Sequence, residues 1–271
     1  MIKKIIKTCA PKPLLKIVTK LYFVLNFRTS AQFVKPFKNS EALYCTIAYN
    51  KYGAYCLPKI SIDRPAAQSI MRGEVWEEET IKFIINHCKE GDVIHAGTYF
   101  GDFLPALSKN CNQDTIIWAF EPVKEHYDCA CVTMLINKIK NVRLNNFGLG
   151  DKVGSYQMLV GEKNVANFGG ASKVVDGLEV SSSGLFEPVN VVRLDKHIPA
   201  DRSISLIHLD IEGFEQKALE GAMSIIKRDF PILILETLPE DSWLNTNLFS
   251  IGYEVQEIIL GNTVLSHSNK V

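Results

Sequence analysis

The chain has 271 residues, a length that suits one large α/β domain or two small domains. Its hydrophobic content of 46% and its charged content of 22% are typical of a soluble globular protein. The 30 Lys and Arg residues balance the 30 Asp and Glu residues, so no overall field favours nucleic acid as a partner. The charge is uneven, however, because residues 1–40 contain nine Lys or Arg and no Asp or Glu.

The N-terminal segment combines this positive charge with apolar residues. Residues 14–27 are mostly apolar, but they include Lys16 and Lys20 and are too few to span a bilayer. We therefore predict a basic amphipathic N-terminal extension over residues 1–40, with a peripheral membrane contact through residues 1–30. The alternative is a leader helix that packs on the domain.

The seven cysteines are scattered through apolar stretches. An odd number without regular spacing favours reduced, buried thiols in a cytoplasmic protein. No Cys-x-x-Cys pair occurs and no histidine spacing suits zinc, so we expect no structural metal site. The predicted localisation is the cytoplasm, with the N-terminal extension at the membrane surface.

The first half of the remaining chain predicts alternating strands and helices. A hairpin is expected over 41–59, with Asn50 to Gly53 at its turn, and apolar residues at helical spacing follow over 74–88. The next predicted elements are a strand over 92–96, a helix over 101–109, a strand over 115–120, a helix over 124–139 and a strand over 142–147.

After residue 150 the pattern changes before the alternation resumes. Short β segments are predicted over 154–160 and 188–194, separated by a stretch rich in Gly and Ser. The predicted elements that follow are a strand over 204–210, a helix over 215–228, a strand over 231–236 and a closing hairpin over 253–266. This order predicts a single, mostly parallel sheet with a C-terminal antiparallel hairpin and helices on both faces.

The most informative motif is a glycine turn between a strand and a helix, at Gly97 and Gly101. Glycine lets the backbone turn sharply and approach a ligand closely. Glu121 follows the next apolar strand, where its carboxylate can accept hydrogen bonds from two ribose hydroxyls. The pattern predicts a Rossmann-like nucleoside site, although the spacing Gly-x-x-x-Gly is not the full dinucleotide pattern. An ordinary strand-to-helix turn without a ligand is the alternative.

Five stretches of the sequence together resemble one known family, and they occur in that family's order. They are residues 93–102, Ala119 to Pro122, Asn146 to Asp151, Leu209 to Glu215 and Ile234 to Glu236. On these residues the chain resembles the class I methyltransferases that depend on S-adenosylmethionine, and within them the FkbM family. The resemblance implies a single Rossmann-like methyltransferase domain over 41–271, with a seven-stranded sheet and a β insertion around 154–194.

The resemblance also implies which residues hold S-adenosylmethionine. The glycine turn would hold its methionine part, Glu121 its ribose, and Asn146 to Gly148 would lie near its adenine. The implied cofactor-binding residues are His95, Gly97, Thr98, Tyr99, Phe100, Gly101, Asp102, Glu121, Pro122, Asn146, Phe147, Gly148 and Asp210. The family commonly has Asp at the position of His95 and Ala-Asn at the positions of Thr98 and Tyr99. Asp102 is therefore the candidate carboxylate for the cofactor's amino group.

Three acidic residues are the predicted catalytic groups, Asp210, Glu212 and Glu236. They follow two strands that reach the same edge of the sheet. A carboxylate there can act as a general base, orient the acceptor hydroxyl, or hold a divalent cation that does both. The alternative for Asp210 is a cap on the helix that begins near Phe214. For His95, which lies within a strand, the alternative to a cofactor contact is a hydrogen-bonded core residue.

The resemblance implies an S-adenosylmethionine-dependent O-methyltransferase. Its acceptor would be a hydroxyl of a sugar, a glycoconjugate or a secondary metabolite. One alternative is an NAD-dependent oxidoreductase or epimerase, which would use the same ribose carboxylate but usually has the full dinucleotide glycine pattern. The other alternative is a methyltransferase-like protein without activity, suggested by His95 and by Thr98-Tyr99. The sequence leaves the oligomeric state open.

Overall fold

The computed structural model describes residues 43–88, 91–112, 114–162, 173–175 and 184–268. The predicted extension over residues 1–40 lies outside these ranges, and so does most of the stretch rich in Gly and Ser. Within the described residues, strands and helices alternate in the predicted order, with differences at some boundaries.

The described chain begins with the predicted antiparallel hairpin, formed by β1 (Cys45–Asn50) and β2 (Gly53–Pro58). The next elements are α1 (Pro65–Met71), α2 (Glu78–His87), β3 (Asp92–Ala96), α3 (Leu104–Asn110), β4 (Ile117–Phe120), α4 (Lys124–Asn137) and β5 (Val142–Asn145). They are followed by β6 (Gly148–Leu149), β7 (Gly154–Glu162), β8 (Lys173–Val175), β9 (Gly184–Val192) and α5 (Leu194–His197). The last elements are β10 (Ile204–Leu209), α6 (Glu215–Glu220), α7 (Met223–Asp229), β11 (Ile232–Leu235), α8 (Asp241–Asn247), β12 (Tyr253–Ile259) and β13 (Asn262–His267).

Seven strands form one sheet in the order β12-β13-β11-β10-β3-β4-β5. From β11 to β5 all neighbours are parallel, whereas β13 is antiparallel to both β11 and β12. The expected seven-stranded, mostly parallel sheet with a C-terminal antiparallel hairpin is therefore confirmed. The carboxyl ends of the parallel strands meet at one edge, so the residues after β3, β4, β10 and β11 lie side by side.

The central strands of this sheet are buried on both faces. Ile94 and Ile207 belong to the apolar core on one face, to which α6 and α7 contribute. Val93 and Leu206 belong to the core on the other face, to which α2 and α3 contribute. Helices therefore cover both faces, as the nearly continuous apolar sequence of these strands predicts.

Strands β6 to β9 form a separate sheet in the order β6-β9-β7-β8. This sheet corresponds to the β insertion expected around 154–194, although β9 begins before the predicted residue 188. Met158, Val160 and Val189 of the insertion pack against Val123, the residue before α4. The insertion therefore lies next to the carboxyl end of β4.

The single helix predicted over 215–228 is instead two helices, α6 and α7. Asp195 explains the break, because its side chain accepts hydrogen bonds from the backbone N–H groups of Ser224 and Ile225, at 3.1 Å each. Its own N–H donates to the carbonyl oxygen of Gly221 at 2.9 Å. The prediction was wrong because the start of α7 is stabilised by a residue that is distant in the sequence.

Two helices of seven residues, α1 and α8, were not predicted. Seven residues are about two turns, which is too few for a helical period to stand out from the sequence. Among the described residues, no helix is long and apolar enough to cross a membrane. The cysteines in the described ranges form no disulfide bond.

Candidate active site

The carboxyl ends of β3 and β10 approach each other closely beside Gly97. The N–H of Asp210 donates a hydrogen bond to the carbonyl oxygen of Ala96 at 3.1 Å. Gly97 has φ +83°, and a Cβ at this position would lie 1.8 Å from the carbonyl oxygen of Asp210. The position requires glycine, because any side chain would separate the two strand ends. The glycine turn and the loop after β10 are therefore in direct contact.

Tyr99 shapes the turn after β3. Its backbone has φ 51°, which is uncommon for a residue other than glycine and often occurs at functional sites. Its N–H donates to Oε2 of Glu121 at 2.7 Å. Its hydroxyl donates to Oγ of Ser61 at 2.5 Å. Tyr99 thus connects the turn to the end of β4 and to the segment after the hairpin.

Glu121 follows β4 and is only 4% exposed. Oε1 accepts a hydrogen bond from the N–H of Val123 at 2.9 Å, and Oε2 accepts the one from Tyr99. Each carboxylate oxygen can accept a further hydrogen bond. A carboxylate held in this way can accept a hydrogen bond from a ribose hydroxyl without first being ordered.

Asn146 supports the same strand end. Its Nδ2 donates to the carbonyl oxygens of Glu121 and Pro122, each at 2.9 Å. The next two residues, Phe147 and Gly148, line a cavity beside this strand end. Asn146 therefore holds the backbone after β4, while Phe147 and Gly148 line the cavity.

This cavity is partly open to solvent and encloses about 530 Å³ when that open space is included. Its lining includes seven residues that the sequence predicted for the site, namely Gly97, Tyr99, Glu121, Pro122, Phe147, Gly148 and Asp210. Eight other predicted residues are not among the described residues that line the cavity, namely His95, Thr98, Phe100, Gly101, Asp102, Asn146, Glu212 and Glu236.

Residues that the sequence did not point to also line the cavity. Met158 of β7 belongs to the insertion, and His126 lies in the first turn of α4. No local signal marks Met158, because its place depends on how the insertion packs. For His126 the available signal was a polar residue in the first turn of the helix that follows Glu121.

His95 lies in a buried pair with His208 instead of at the cavity. Both side chains are 1% exposed, and their Nδ1 atoms are 2.9 Å apart. The ring of Phe103 stacks on His95 with a centroid distance of 5.0 Å. Burial lowers the pKa of both imidazoles, that of His208 to about 4, so both are neutral at pH 7. This geometry supports the core alternative for His95.

Three other predicted residues, Thr98, Phe100 and Gly101, make contacts within the protein that form the turn after β3. The hydroxyl of Thr98 donates to the carbonyl oxygen of His95 at 3.1 Å. Phe100 packs edge-on against Tyr55, with ring centroids 6.3 Å apart. Gly101 has φ +83°, and its N–H donates to the carbonyl oxygen of Thr98 at 2.8 Å. The side chains of Thr98 and Phe100 therefore stabilise the turn.

The predicted catalytic residues do come together. Asp210, Glu212 and Glu236 bring carboxyl oxygens within 4.8 Å of one another. Burial raises the pKa of Asp210 well above its usual range, and the charge of Glu236 raises it further. Asp210 is not the N-cap of α6, because Phe214 occupies that position.

Two more acids, Asp102 and Glu77, enlarge this group, and the five residues are called the carboxylate cluster below. Burial, and then the charge of Glu77, raise the pKa of Asp102 to about 8. Burial raises the pKa of Glu77 as well, and both acids raise that of Asp210. The sequence analysis did not identify Glu77, whose signal was the acidic run before α2. Asp102 is buried, Glu77, Asp210 and Glu212 are half-buried, and Glu236 is exposed. Carboxyl groups that crowd one another in this way favour a nearby cation.

A family model described as "Methyltransferase FkbM domain" matches residues 95–258. The chain belongs to the FkbM methyltransferase family. This membership makes S-adenosylmethionine the cofactor of the present FkbM methyltransferase, and it removes the NAD-dependent oxidoreductase as an alternative. No curated protein matches the sequence.

Solved methyltransferase structures are similar to this FkbM methyltransferase at low sequence identity. FkbM from Methylobacillus flagellatus KT is 17% identical over 65% of this chain and 42% of that chain, with a TM-score of 0.44. A SAM-dependent methyltransferase from Aquifex aeolicus is 15% identical over 77% of this chain and 95% of that chain, with a TM-score of 0.39. M. jannaschii TYW2, solved in complex with AdoMet, is 13% identical over 84% and 85% of the two chains, with a TM-score of 0.42. The chain spans less than half the length of the M. flagellatus protein.

The residues around the cavity suit S-adenosylmethionine. Glu121 offers two anchored acceptors for the ribose, and Phe147 and Met158 offer apolar surface for the adenine. Gly97 leaves the backbone of the turn open to the methionine part. Asp210 is the member of the carboxylate cluster that lines this cavity, where a carboxylate suits a positively charged ligand group.

Glu121→Ala is expected to weaken the binding of S-adenosylhomocysteine by about 1 to 3 kcal/mol, the usual size of a charge-assisted hydrogen bond. The free energy of unfolding should fall too, by about 2 kcal/mol, because the N–H groups of Tyr99 and Val123 lose their acceptor. Calorimetric titration measures the first effect and urea denaturation the second. Glu254→Ala, an exposed change on β12, is the matched control. Unchanged affinity in the Glu121 variant would contradict its place at the ribose.

Asp102→Asn is expected to raise the free energy of unfolding, relative to wild type, by more at pH 8 than at pH 5. The folded pKa of about 8 lies above the ordinary value, so the stability contributed by protonated Asp102 is complete below about pH 4. This contribution to stability decreases as the pH rises from about 4 to about 8, by at most about 1.4 kcal/mol per pH unit. Asparagine keeps the acceptor for the N–H of Phe103, at 3.1 Å, without the charge.

Urea denaturation of both proteins at pH 5 and pH 8 tests this pH dependence. Asp63→Asn changes an exposed carboxyl group and is the control. A difference between wild type and the Asp102 variant that is the same at both pH values would contradict the raised pKa.

Proposed function

We propose that this FkbM methyltransferase transfers the methyl group of S-adenosylmethionine to a hydroxyl oxygen of a sugar, a glycoconjugate or a secondary metabolite. The proposal depends chiefly on Asp210, a carboxyl group at the cavity with a raised pKa. A general base works best when its pKa is close to the working pH, so a raised pKa suits Asp210 to the removal of a hydroxyl proton.

S-adenosylmethionine supplies a methyl group that is activated by the positive charge on its sulfur. Glu121 and the turn at Gly97 would hold the two ends of the cofactor and so position its methyl group. Asp210 would accept the proton of the acceptor hydroxyl when that oxygen takes the methyl group and S-adenosylhomocysteine leaves. The charge of Glu236 favours the protonated form of Asp210, which makes it a better proton acceptor.

The carboxylate cluster also supports a neutral acceptor with several hydroxyls. Carboxylates accept hydrogen bonds from hydroxyl groups, and neighbouring hydroxyls of a sugar match acceptors as close together as those of Asp210, Glu212 and Glu236. An anionic acceptor would be repelled by the same charges.

The same three carboxyl groups have the spacing that a divalent cation requires. Measuring turnover in EDTA, and then with added Mg²⁺ or Mn²⁺, distinguishes a role of Asp210 as a base from a role of the three residues as cation ligands. Unchanged turnover in EDTA would support Asp210 as a base that works without metal. Loss of turnover that Mg²⁺ or Mn²⁺ restores would assign the three residues to a cation.

Calorimetric titration with S-adenosylhomocysteine, with NAD as the control ligand, tests the cofactor part of the proposal. Methyl transfer from labelled S-adenosylmethionine to sugars and glycosides tests the acceptor part, with matched amino sugars and fully O-methylated sugars as controls. Transfer to free hydroxyls alone is the expected result. Transfer to the amine would overturn the assignment to oxygen, and binding without turnover on any acceptor would support the inactive alternative.

We further propose that residues 1–30 hold the protein at the cytoplasmic surface of a membrane, near lipid-linked acceptors. The support is the charge of the sequence, since residues 1–40 contain nine basic and no acidic residues. A basic residue near an anionic membrane surface contributes about 1 kcal/mol to binding.

Deletion of residues 1–30 is expected to release the protein from membranes. Co-sedimentation with vesicles of phosphatidylserine and phosphatidylcholine should retain the full chain and not the shortened one, and vesicles of phosphatidylcholine alone should retain neither. Equal affinity of both proteins for S-adenosylhomocysteine shows that the shortened protein is folded. Unchanged partition after the deletion would contradict the proposal.

A further inference from the structure

His126 is a buried side chain at the cavity that the proposed proton transfer to Asp210 does not involve. It lies in the first turn of α4 and lines the cavity beside Glu121. The residue is 1% exposed, and its ring stands edge-on to the ring of Tyr99, with centroids 4.6 Å apart and an angle of 87°. A polar ring held at this place is close to the carboxylate that suits the ribose.

The two ring nitrogens of His126 have different surroundings. Nδ1 lies 3.7 Å from Oε1 of Glu121. Nε2 is buried and has no hydrogen-bond partner among the described residues. A buried polar atom without a partner is costly in native proteins. The Nε2 atoms of His95 and His208 share this state, but of the three histidines only His126 lines the cavity, where a ligand can supply the missing partner.

The carboxylate of Glu121 determines which nitrogen is available to that ligand. A proton on Nδ1 faces the negative oxygen of Glu121, whereas a lone pair there would be repelled by it. In the neutral imidazole the favoured tautomer therefore has its proton on Nδ1 and a lone pair on Nε2. Nε2 is then an acceptor for a hydroxyl.

We propose that His126 is a specificity-determining residue for the ribose of the cofactor, an inference that rests on the proposed function. A ribose diol has two O–H donors, of which Glu121 accepts one and Nε2 of His126 accepts the other. A nucleoside that lacks one hydroxyl leaves an acceptor unpaired, and the charge of Glu121 repels a phosphate in its place. The site thereby selects a nucleoside with two free ribose hydroxyls.

The test compares S-adenosylhomocysteine with its 2′-deoxy and 3′-deoxy analogues by calorimetric titration. Wild type should lose about tenfold in affinity when the hydroxyl that contacts His126 is removed, as for one neutral hydrogen bond. His126→Leu should bind that analogue and the parent compound equally, whereas His126→Gln, which keeps an acceptor, should retain the discrimination. His87→Leu, a change in an exposed histidine, is the control and should behave as wild type.

A measurement on wild type makes the test independent of how well the leucine variant folds. The ¹⁵N resonance of Nε2, assigned with the His126→Gln variant, should shift when S-adenosylhomocysteine binds and shift less with the analogue that lacks the contacting hydroxyl. Equal shifts with all three compounds, or full discrimination in a folded His126→Leu variant, would overturn the role of His126. Absence of S-adenosylhomocysteine binding to wild type would instead overturn the proposed function, and this inference with it.

Discussion

Gly97→Ala is expected to lower the free energy of unfolding by more than about 4 kcal/mol, a loss that few single substitutions cause. The new Cβ would lie 1.8 Å from the carbonyl oxygen of Asp210, far inside van der Waals contact. The backbone would also hold alanine at φ +83°, in the left-handed region. Because the Cβ is fixed to the backbone after β3 and the oxygen belongs to the backbone after β10, no flexible side chain can move aside to relieve the clash.

Gly213→Ala separates the two causes of this loss. Gly213 has φ +90°, but a Cβ there has no atom within 4 Å, so its expected cost is about 1 to 2 kcal/mol from conformation alone. Urea denaturation of both variants measures the difference, and soluble yield with limited proteolysis shows whether Gly97→Ala folds at all. Equal stability of the two variants would contradict the close contact between β3 and β10.

Asp210→Asn is expected to lower the turnover number by about a hundredfold to ten-thousandfold, the usual contribution of a general base. Asparagine has nearly the shape of aspartate and cannot accept the proton. The affinity for S-adenosylhomocysteine should change little, because the backbone contact of Asp210 with Ala96 does not depend on its side chain. Burial and Glu236 raise the pKa of Asp210, so wild-type turnover should rise with pH as the group ionises.

The pH profile distinguishes this role of Asp210 from a structural one. The residual turnover of Asp210→Asn should lack the rise with pH, whereas the exposed control Asp63→Asn should retain the wild-type profile. Equal losses of turnover and of cofactor affinity would indicate that Asp210 binds the cofactor and does not accept the proton. An Asp210 variant with the wild-type pH profile would exclude it as the base.

Several features of the site depend on short stretches of chain and were therefore predictable. The turn at Gly97 is part of a strand-turn-helix segment, and Glu121 follows a run of apolar residues. The order of strands and helices likewise follows from local periodicity, which is why the elements from β3 to β5 lie close to their predicted ranges.

Other features depend on residues that are far apart in the sequence. The break between α6 and α7 comes from Asp195, and the surroundings of Asp102 depend on Glu77, which precedes it by a whole helix. The burial of His95 against His208 follows from the pairing of β3 with β10. None of these contacts has a signature within a single segment.

The sequence by itself determined the main order of strands and helices, the turn at Gly97, the position of Glu121 at the end of β4 and the family of this protein, because each depends on neighbouring residues. The tertiary structure alone decided which side chains share the cavity, which carboxyl groups are crowded into one cluster, and which buried histidine lines the cavity. The physical reason is that burial and electrostatic energy depend on distance in space, and the parallel sheet brings distant segments together at one edge.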